Sequence, residues 1–280
     1  MSASARPTIG LIAGQGTLPL LVAQGIRAAG CRVAAVGLHG QYEPGLRDAC
    51  DEFAEAGVLQ LGKWIRLMRR FHAQRAVIIG RVGKARMHDP WRLLRQLPDL
   101  RAIDLWYRRL RHDHRTAALL AAVADELTNS GVTIIDSTTY ITAHLATTGQ
   151  MGRVAAAAQQ LADIQFGWPL LAQLASSNIG QALTVREGDV IAVEAVEGTD
   201  AMIERTGQLC PKRGWVLLKT ASPGHDMRAD VPTIGVQTIE RLASAGGKAI
   251  SLGAGRVILA DREAVIAAAD RLGVALIGIA

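Results

Sequence analysis

The chain has 280 residues, of which 49% are hydrophobic and only 4% aromatic, and its net charge of +6 corresponds to an isoelectric point near 9.6. This length suits two domains whose cores consist mostly of aliphatic side chains, as in helices packed on sheets. Three isolated cysteines exclude a disulfide framework, and no apolar run reaches the roughly 18 residues of a membrane span. The first residues do not have the pattern of a secretory signal. We therefore expect a cytoplasmic protein.

The first elements alternate in the order strand, glycine loop, helix and strand. Thr8–Ala13 is an apolar run typical of a buried strand, and the loop Gly14–Gly16 follows it. Helical periodicity runs from Leu18 to Ala29, and Arg32–Gly37 predicts a second strand. This order is typical of a doubly wound, Rossmann-like fold.

The alternation continues to about residue 140, with predicted helices at 62–71, 91–97 and 116–127 and predicted strands at 76–80 and 131–136. The following stretch is rich in Thr, Gly and small residues and has weak periodicity. We therefore expect a Rossmann-like N-terminal domain over residues 1–142 and a linker over residues 143–152.

Residues 153–280 predict a second α/β domain with a mixed sheet, which makes the fold class α/β throughout. It opens with a helix over 153–174 that we expect to be interrupted near Gly167, Trp168 and Pro169. The predicted strands are 182–186, 190–195, 215–219, 248–252, 256–260 and 274–279. The predicted helices are 199–207, 234–245 and 261–272, the last of them capped by Asp261.

Much of the positive charge lies in the stretch Arg92–Arg115, which holds seven arginines. One interpretation is a solvated helical surface. Another is a patch that holds the protein near anionic headgroups at the inner membrane. Nucleic acid is not expected as a partner, because no zinc-finger spacing or aromatic-studded basic strand accompanies the charge.

The glycine loop is the first candidate binding element. Gly14, Gln15 and Gly16 lie between a strand and a helix, where backbone N–H groups and the helix dipole favour an anion. The alternative is a tight turn without a ligand. A dinucleotide fingerprint is not completed, because Pro19 stands where its last glycine is required and no acidic residue follows the second strand.

A second candidate is the turn before the helix at residue 199. Glu197 is a carboxylate able to hold a cation, and Gly198 and Thr199 would lie beside the free N–H groups of that helix. Asp200 is a further candidate for substrate binding. The alternative is that Thr199 or Asp200 simply caps the helix.

A third candidate is the segment around Asp230. This aspartate follows a polar loop and precedes Pro232 and a predicted helix, so it is either a structural cap or a ligand for Mg²⁺. Thr233 lies near the start of that helix. Lys219, at the end of the strand just upstream, is well placed to meet a phosphate or is an ordinary exposed lysine.

Four segments resemble the Mg-dependent UDP-2,3-diacylglucosamine pyrophosphatases of the LpxI type. They are Gly10–Pro19, Val193–Met202, Asp230–Gly235 and Asp261–Asp270. The resemblance implies hydrolysis of UDP-2,3-diacylglucosamine to 2,3-diacylglucosamine 1-phosphate and UMP in lipid A biosynthesis, with the substrate held between two domains. It also implies that Asp230 is required for catalysis.

These expectations combine into one site. Asp230 and Glu197 are the predicted catalytic and metal-binding residues for Mg²⁺, and the phosphates are expected to meet the following residues: Gly14, Gln15, Gly16, Gly198, Thr199, Asp200, Lys219 and Thr233. A homodimer is compatible with the sequence. Two alternatives stay open: an NAD(P)-dependent oxidoreductase, and a non-catalytic protein that binds nucleotide or lipid.

Overall fold

The computed structural model of the chain describes residues 6–82, 97–111, 116–222, 224–228 and 231–280. Its contacts divide into two compact units. The first unit extends to Ile141 and includes a short segment that begins at Asp226, and the second contains Thr142–His225 and Val231–Ala280. Among the described helices, none combines the length and apolar character needed to cross a bilayer.

The first unit is built on a sheet of five parallel strands in the order β3-β2-β1-β4-β5. Its central strands are nearly all apolar because both faces of the sheet are covered. In this doubly wound order, the chain moves to opposite sides of β1, so a crevice is expected outside the carboxyl ends of β1 and β4. The strands are β1 (Thr8–Ala13), β2 (Arg32–Leu38), β3 (Glu52–Ala56), β4 (Arg75–Ile79) and β5 (Thr133–Ile134).

The helices of this unit are α1 (Leu18–Ala28), α2 (Leu61–Arg70), α3 (Leu100–Leu105) and α4 (Thr116–Asn129); a π-helical turn, Trp106–Leu110, extends α3. Strand β3 was not predicted, because Glu52 and Glu55 interrupt its apolar character. Such residues are tolerated there because β3 is an edge strand. Of the helix predicted at 91–97, residues 91–96 lie outside the described part of the chain.

The second unit contains a six-stranded sheet in the order β6-β13-β11-β9-β7-β8. The three strands β9, β11 and β13 run parallel, whereas β6, β7 and β8 pair antiparallel, so the sheet is mixed as predicted. Strands β10 and β12 form a separate parallel pair. The bounds are β6 (Gly149–Gln150), β7 (Ala182–Arg186), β8 (Asp189–Val193), β9 (Val216–Lys219), β10 (Thr233–Ile234), β11 (Ala249–Gly253), β12 (Ile258–Leu259) and β13 (Ala275–Ile279).

Four helices cover this sheet: α5 (Ala158–Ser176), α6 (Thr199–Leu209), α7 (Val236–Ala245) and α8 (Arg262–Leu272). Helix α5 packs on one face, in a cluster that includes Leu218. Helices α6, α7 and α8 pack on the other face with Leu217, as expected because consecutive strand residues point to opposite faces. The α/β fold class is thereby confirmed, with a parallel sheet in one unit and a mixed sheet in the other.

The predicted interruption of α5 is wrong, since the helix continues through Gly167, Trp168 and Pro169. A Cβ atom on Gly167 would lie 2.8 Å from Val185 and 3.2 Å from Leu218. The absent side chain therefore lets the helix approach the sheet closely. Pro169 has no N–H group to donate within the helix, and the packing of the helix on the sheet offsets the loss of that hydrogen bond.

The segment predicted as a linker, residues 143–152, belongs to the second unit. Ala146 is buried and its amide donates to the carbonyl of Val257 at 2.9 Å. Gly149 and Gln150 form the edge strand β6, which pairs with β13. Small polar residues suit a short edge strand as well as a linker, so composition did not separate the two.

Candidate functional site

The glycine loop lies at the carboxyl end of β1 and is bonded to the chain that leaves β4. The amide of Gly14 donates to the carbonyl of Ile79 at 2.9 Å, and Gln15 and Arg81 exchange two backbone hydrogen bonds of 2.8 and 2.9 Å. A Cβ atom on Gly14 would lie 2.6 Å from the carbonyl oxygen of Arg81 and 2.8 Å from Gly80. Glycine is thus required at position 14 by backbone packing.

Gly16 is the part of the loop with room around it. Its φ of +99° favours glycine, and no atom lies within 4 Å of where its Cβ would be. The amide of Gly16 lies 3.4 Å from the carboxylate of Glu43. The amides of Gly14 and Gln15 donate to backbone carbonyls. An anion would therefore have to meet the loop at the start of α1 and at Gly16, where it would replace the Glu43 carboxylate that accepts from this amide.

The turn before α6 is shaped by Gly198, which has a φ of +82° and occupies the N-cap position without a side-chain cap. The alternative in which Thr199 or Asp200 caps the helix is therefore wrong. Thr199 is the first helical residue, and the carboxylate of Asp200 pairs instead with Arg241 of α7 at 3.6 Å.

Three polar side chains form a hydrogen-bonded chain at the carboxyl end of β9. The ammonium of Lys219 donates to the hydroxyl of Thr199 at 2.6 Å, and this hydroxyl donates to Oε1 of Glu194 at 2.8 Å. Lys219 is 5% exposed and Glu194 is 6% exposed. The interpretation of Lys219 as an ordinary exposed lysine is wrong, and the site instead holds a buried cation beside the N-terminus of a helix.

Glu197 lies in the same turn and is held as an anion. Its Oε2 accepts from the amide of Ala195 at 3.1 Å, and Arg205 donates to its Oε1 at 2.6 Å. Hydrogen bonding from its own backbone amide, followed by that from Arg205, lowers the pKa of the Glu197 carboxyl below its ordinary value.

Thr233 does not begin a helix as expected. It lies in strand β10, where its hydroxyl donates to the carbonyl of Val231 at 3.0 Å, and α7 begins only after Gly235. Its side chain is half-buried. Any contribution of Thr233 to phosphate binding therefore comes from the strand end and not from the N–H groups of α7.

Two family models match consecutive parts of this chain: the LpxI N-terminal domain over residues 8–144 and the LpxI C-terminal domain over residues 147–277. The chain belongs to the LpxI family. It is 36% identical over 284 aligned residues to the UDP-2,3-diacylglucosamine pyrophosphatase LpxI of Caulobacter vibrioides, and the match covers 97% of each chain.

Two solved structures share a weak likeness with this LpxI chain. One is the biotin carboxylase domain of Hydrogenobacter thermophilus 2-oxoglutarate carboxylase, with 12% identity, a TM-score of 0.26 and coverage of 73% of this chain and 41% of that one. The other is the biotin carboxylase domain of a single-chain bacterial carboxylase, with 15% identity, a TM-score of 0.24 and coverage of 79% and 59%. At these TM-scores the likeness supports no conclusion about this chain.

Asp230, which carries the catalytic prediction for this LpxI chain, lies outside the described residues. Its convergence with Glu197 stays a prediction. Within the described part of the chain, no group of three or more His, Cys, Asp or Glu side chains is arranged to hold a metal ion.

Glu194 was not predicted as a site residue, although it lies three residues before Glu197 in the same stretch of sequence. A strand-end carboxylate is a weak signal by itself. Its importance depends on burial and on contact with Thr199, and neither is visible in the sequence. Its Oε2 is buried and has no hydrogen-bond partner among the residues that the structure describes.

A further polar cluster was missed at the carboxyl ends of β2 and β3. Glu55 accepts from the hydroxyl of Tyr42 at 2.5 Å and lies 2.7 Å from Nδ1 of His39. The hydrogen bond from Tyr42, followed by that from His39, lowers the pKa of Glu55. Because β3 was not predicted, Glu55 could not be placed beside His39.

The described arginines of the basic stretch are mostly paired within the fold. Arg101 pairs with Glu126 at 2.8 Å and Arg109 pairs with Asp125 at 3.3 Å. Arg108 pairs with an aspartate one helical turn earlier at 2.7 Å. This pairing supports a solvated helical surface more than an exposed anion-binding patch.

Proposed function

We propose that this LpxI chain hydrolyses the pyrophosphate bond of UDP-2,3-diacylglucosamine to 2,3-diacylglucosamine 1-phosphate and UMP, a step of lipid A biosynthesis. The observation that carries the proposal is the relative with that activity in its name, which is 36% identical over 97% of both chains. Because the alignment with this relative covers 97% of each chain, it spans both of the domains that the family models match.

The described site supplies groups that this reaction requires. A diphosphate carries negative charge that must be neutralised as the bond to the leaving phosphate breaks. The ammonium of Lys219 and the N-terminus of α6 at Gly198 and Thr199 supply positive charge on one side of the second unit. The buried position of Lys219 strengthens its interaction with a phosphate, because water screens it less.

Asp230 is the proposed catalytic residue, which orients or deprotonates the attacking water. General base assistance contributes about 10²–10⁴-fold to a rate. We expect Asp230→Ala to lower kcat by at least about 10²-fold while the variant still binds UDP. Asp189→Ala, at an exposed position of β8, serves as the matched control. Near-normal turnover of Asp230→Ala would refute the assignment.

Mg²⁺ is the proposed cofactor, with Asp230 and Glu197 as its protein ligands. Glu197 fits this role because its lowered pKa keeps the carboxylate ionised, as a metal ligand must be. Its oxygens also bond to Ala195 and Arg205, so each would use a remaining lone pair. When bound, Mg²⁺ would neutralise charge on the phosphoryl oxygens.

The decisive experiment measures UMP release from UDP-2,3-diacylglucosamine by the purified chain, with added Mg²⁺ and with EDTA. We expect UMP only with Mg²⁺. UMP release that persists in EDTA would remove the metal proposal and keep the hydrolase, whereas no UMP release under either condition would remove the hydrolase. A parallel titration with NADPH tests the oxidoreductase alternative, which requires saturable binding.

A further inference from the structure

The buried pair Glu194 and Lys219 has a defined geometry in the sheet of the second unit. Ala182 of β7 pairs with Lys219 of β9, and the amide of Glu194 donates to the carbonyl of Ala182 at 2.9 Å. Glu194 and Lys219 thus lie on one row across the sheet, two strand spacings or roughly 9.5 Å apart. The hydroxyl of Thr199 bridges this gap.

Each hydrogen bond in the bridge has a direction. An ammonium can only donate and an ionised carboxylate can only accept, so the Thr199 hydroxyl accepts from Lys219 and donates to Glu194. The serine hydroxyl has the same capacity to accept and donate at once. The negative charge of Glu194 therefore acts on the ammonium through one oriented hydroxyl group.

A purely structural role explains this arrangement poorly. Burying two charges in place of apolar residues generally does not add stability. Within the described part of the chain, Oε2 of Glu194 is also buried without a hydrogen-bond partner, which costs further free energy. Buried polar atoms without a partner are rare in folded proteins, so this arrangement calls for an explanation other than packing.

We infer that Glu194 is a positioning residue, which holds the Lys219 ammonium at the carboxyl end of β9 through the Thr199 hydroxyl. The inference deepens the proposed function, since Lys219 is there the cation that meets a phosphate. The Thr199 hydroxyl fixes the position of the Lys219 ammonium group, and Glu194 fixes the orientation of that hydroxyl. The carboxylate of Glu194 does not need to contact the substrate in this role.

The first test uses binding of UDP, measured by calorimetry, so that it does not depend on turnover. Thr199→Val keeps the shape of the side chain and removes the bridge, and we expect it to weaken UDP binding about 10- to 100-fold, as loss of a hydrogen bond to a charged group does. Thr199→Ser restores the hydroxyl and should recover binding to within about threefold. Glu194→Gln, which keeps an acceptor but loses the charge, should fall between the two.

Thr206→Val is the matched control, because Thr206 is a fully buried threonine on the same helix. Its hydroxyl donates to the carbonyl of Met202 at 2.8 Å and lies 3.0 Å from the hydroxyl of Thr184. We expect Thr206→Val to lower the melting temperature without changing UDP affinity. If Thr206→Val weakened UDP binding as much as Thr199→Val, the effect would be general to the helix and the inference would fall.

A double-mutant cycle separates action through Lys219 from a direct effect of Thr199. The background Glu194→Gln with Lys219→Met removes both charges of this pair. In this background we expect Thr199→Val to change UDP affinity less than about threefold, since the ammonium it positions is gone. An undiminished effect of Thr199→Val would overturn the inference.

Measuring UMP release and UDP binding separately distinguishes failure of the positioning role from failure of the proposed hydrolase function. If wild-type protein released no UMP but the binding cycle behaved as expected, the hydrolase would be wrong and the positioning role would stand for a diphosphate ligand. If wild-type protein released UMP and Thr199→Val bound and turned over normally, the positioning role alone would be wrong.

Discussion

Replacement of Gly14 by alanine tests what the glycine loop is for. The new Cβ would lie 2.6 Å from the carbonyl oxygen of Arg81 and 2.8–2.9 Å from the carbonyl group of Gly80. All of these atoms belong to the backbone, so no side chain can rotate away. The strands β1 and β4 must then separate at their carboxyl ends, where three backbone hydrogen bonds join them.

The size of the effect follows from these contacts. Overpacking costs about 1–3 kcal/mol, and weakening the three hydrogen bonds adds up to about 1 kcal/mol for each. We therefore expect Gly14→Ala to lower the free energy of unfolding of the first unit by about 1–6 kcal/mol. Hydrogen–deuterium exchange of the β1 and β4 amides measures this loss directly, because their slowest exchange reports unfolding.

Gly45→Ala is the matched control, since no atom lies within 4 Å of its Cβ position and its φ is not in the left-handed region. We expect this control to stay within about 0.5 kcal/mol of the wild-type protein. Unchanged exchange protection in Gly14→Ala, combined with lost UDP binding, would refute the packing argument and show that the glycine serves the ligand.

Other predictions concern single side chains. Tyr42→Phe should raise the pKa of Glu55 towards its ordinary value, as measured by carboxyl carbon NMR, because the phenol supplies the main stabilisation of the carboxylate. A lowered pKa stabilises the fold above the unfolded-state pKa, and this stability is lost as the pH falls through the folded-state pKa. In the variant the acid-side loss of stability should therefore be smaller and complete at a higher pH, because the two pKa values lie closer together. Burial raises the pKa of the Cys50 thiol to about 12, so Cys50 should react with iodoacetamide far more slowly than glutathione at pH 8, and equal rates would contradict its burial. Gly167→Ala should destabilise the second unit by about 1–3 kcal/mol in thermal unfolding, because its Cβ would overlap Val185.

Local patterns predicted many elements of both units. Asp261 caps α8 as expected, with its carboxylate accepting from the amide of Ala264 at 3.2 Å. The turn at Glu187 and Gly188 joins β7 and β8, and both residues adopt the positive φ that such a turn requires. These features depend on residues close in sequence, so their chemistry is visible without tertiary structure.

Predictions failed where distant packing decided the outcome. Pro169 breaks isolated helices, but α5 continues through it because Gly167 fits against the sheet. Gly14 is predicted to let the backbone approach a phosphate, and its close contact with Gly80 across the sheet is a second reason for glycine that the sequence did not show. In both cases the contact that matters joins residues on separate elements.

The amino-acid sequence by itself determined the α/β class, the short local turns and the segments that place this chain in the LpxI family. The tertiary structure alone decided that Glu194, Thr199 and Lys219 meet. Glu194 directly follows β8, Thr199 begins α6 and Lys219 ends β9, and only the register of β7 between the two strands aligns their side chains. Lys219 is buried, and a hydrogen bond to a charged group is stronger where water is excluded. The bond to Thr199 therefore fixes the direction of the Lys219 ammonium group.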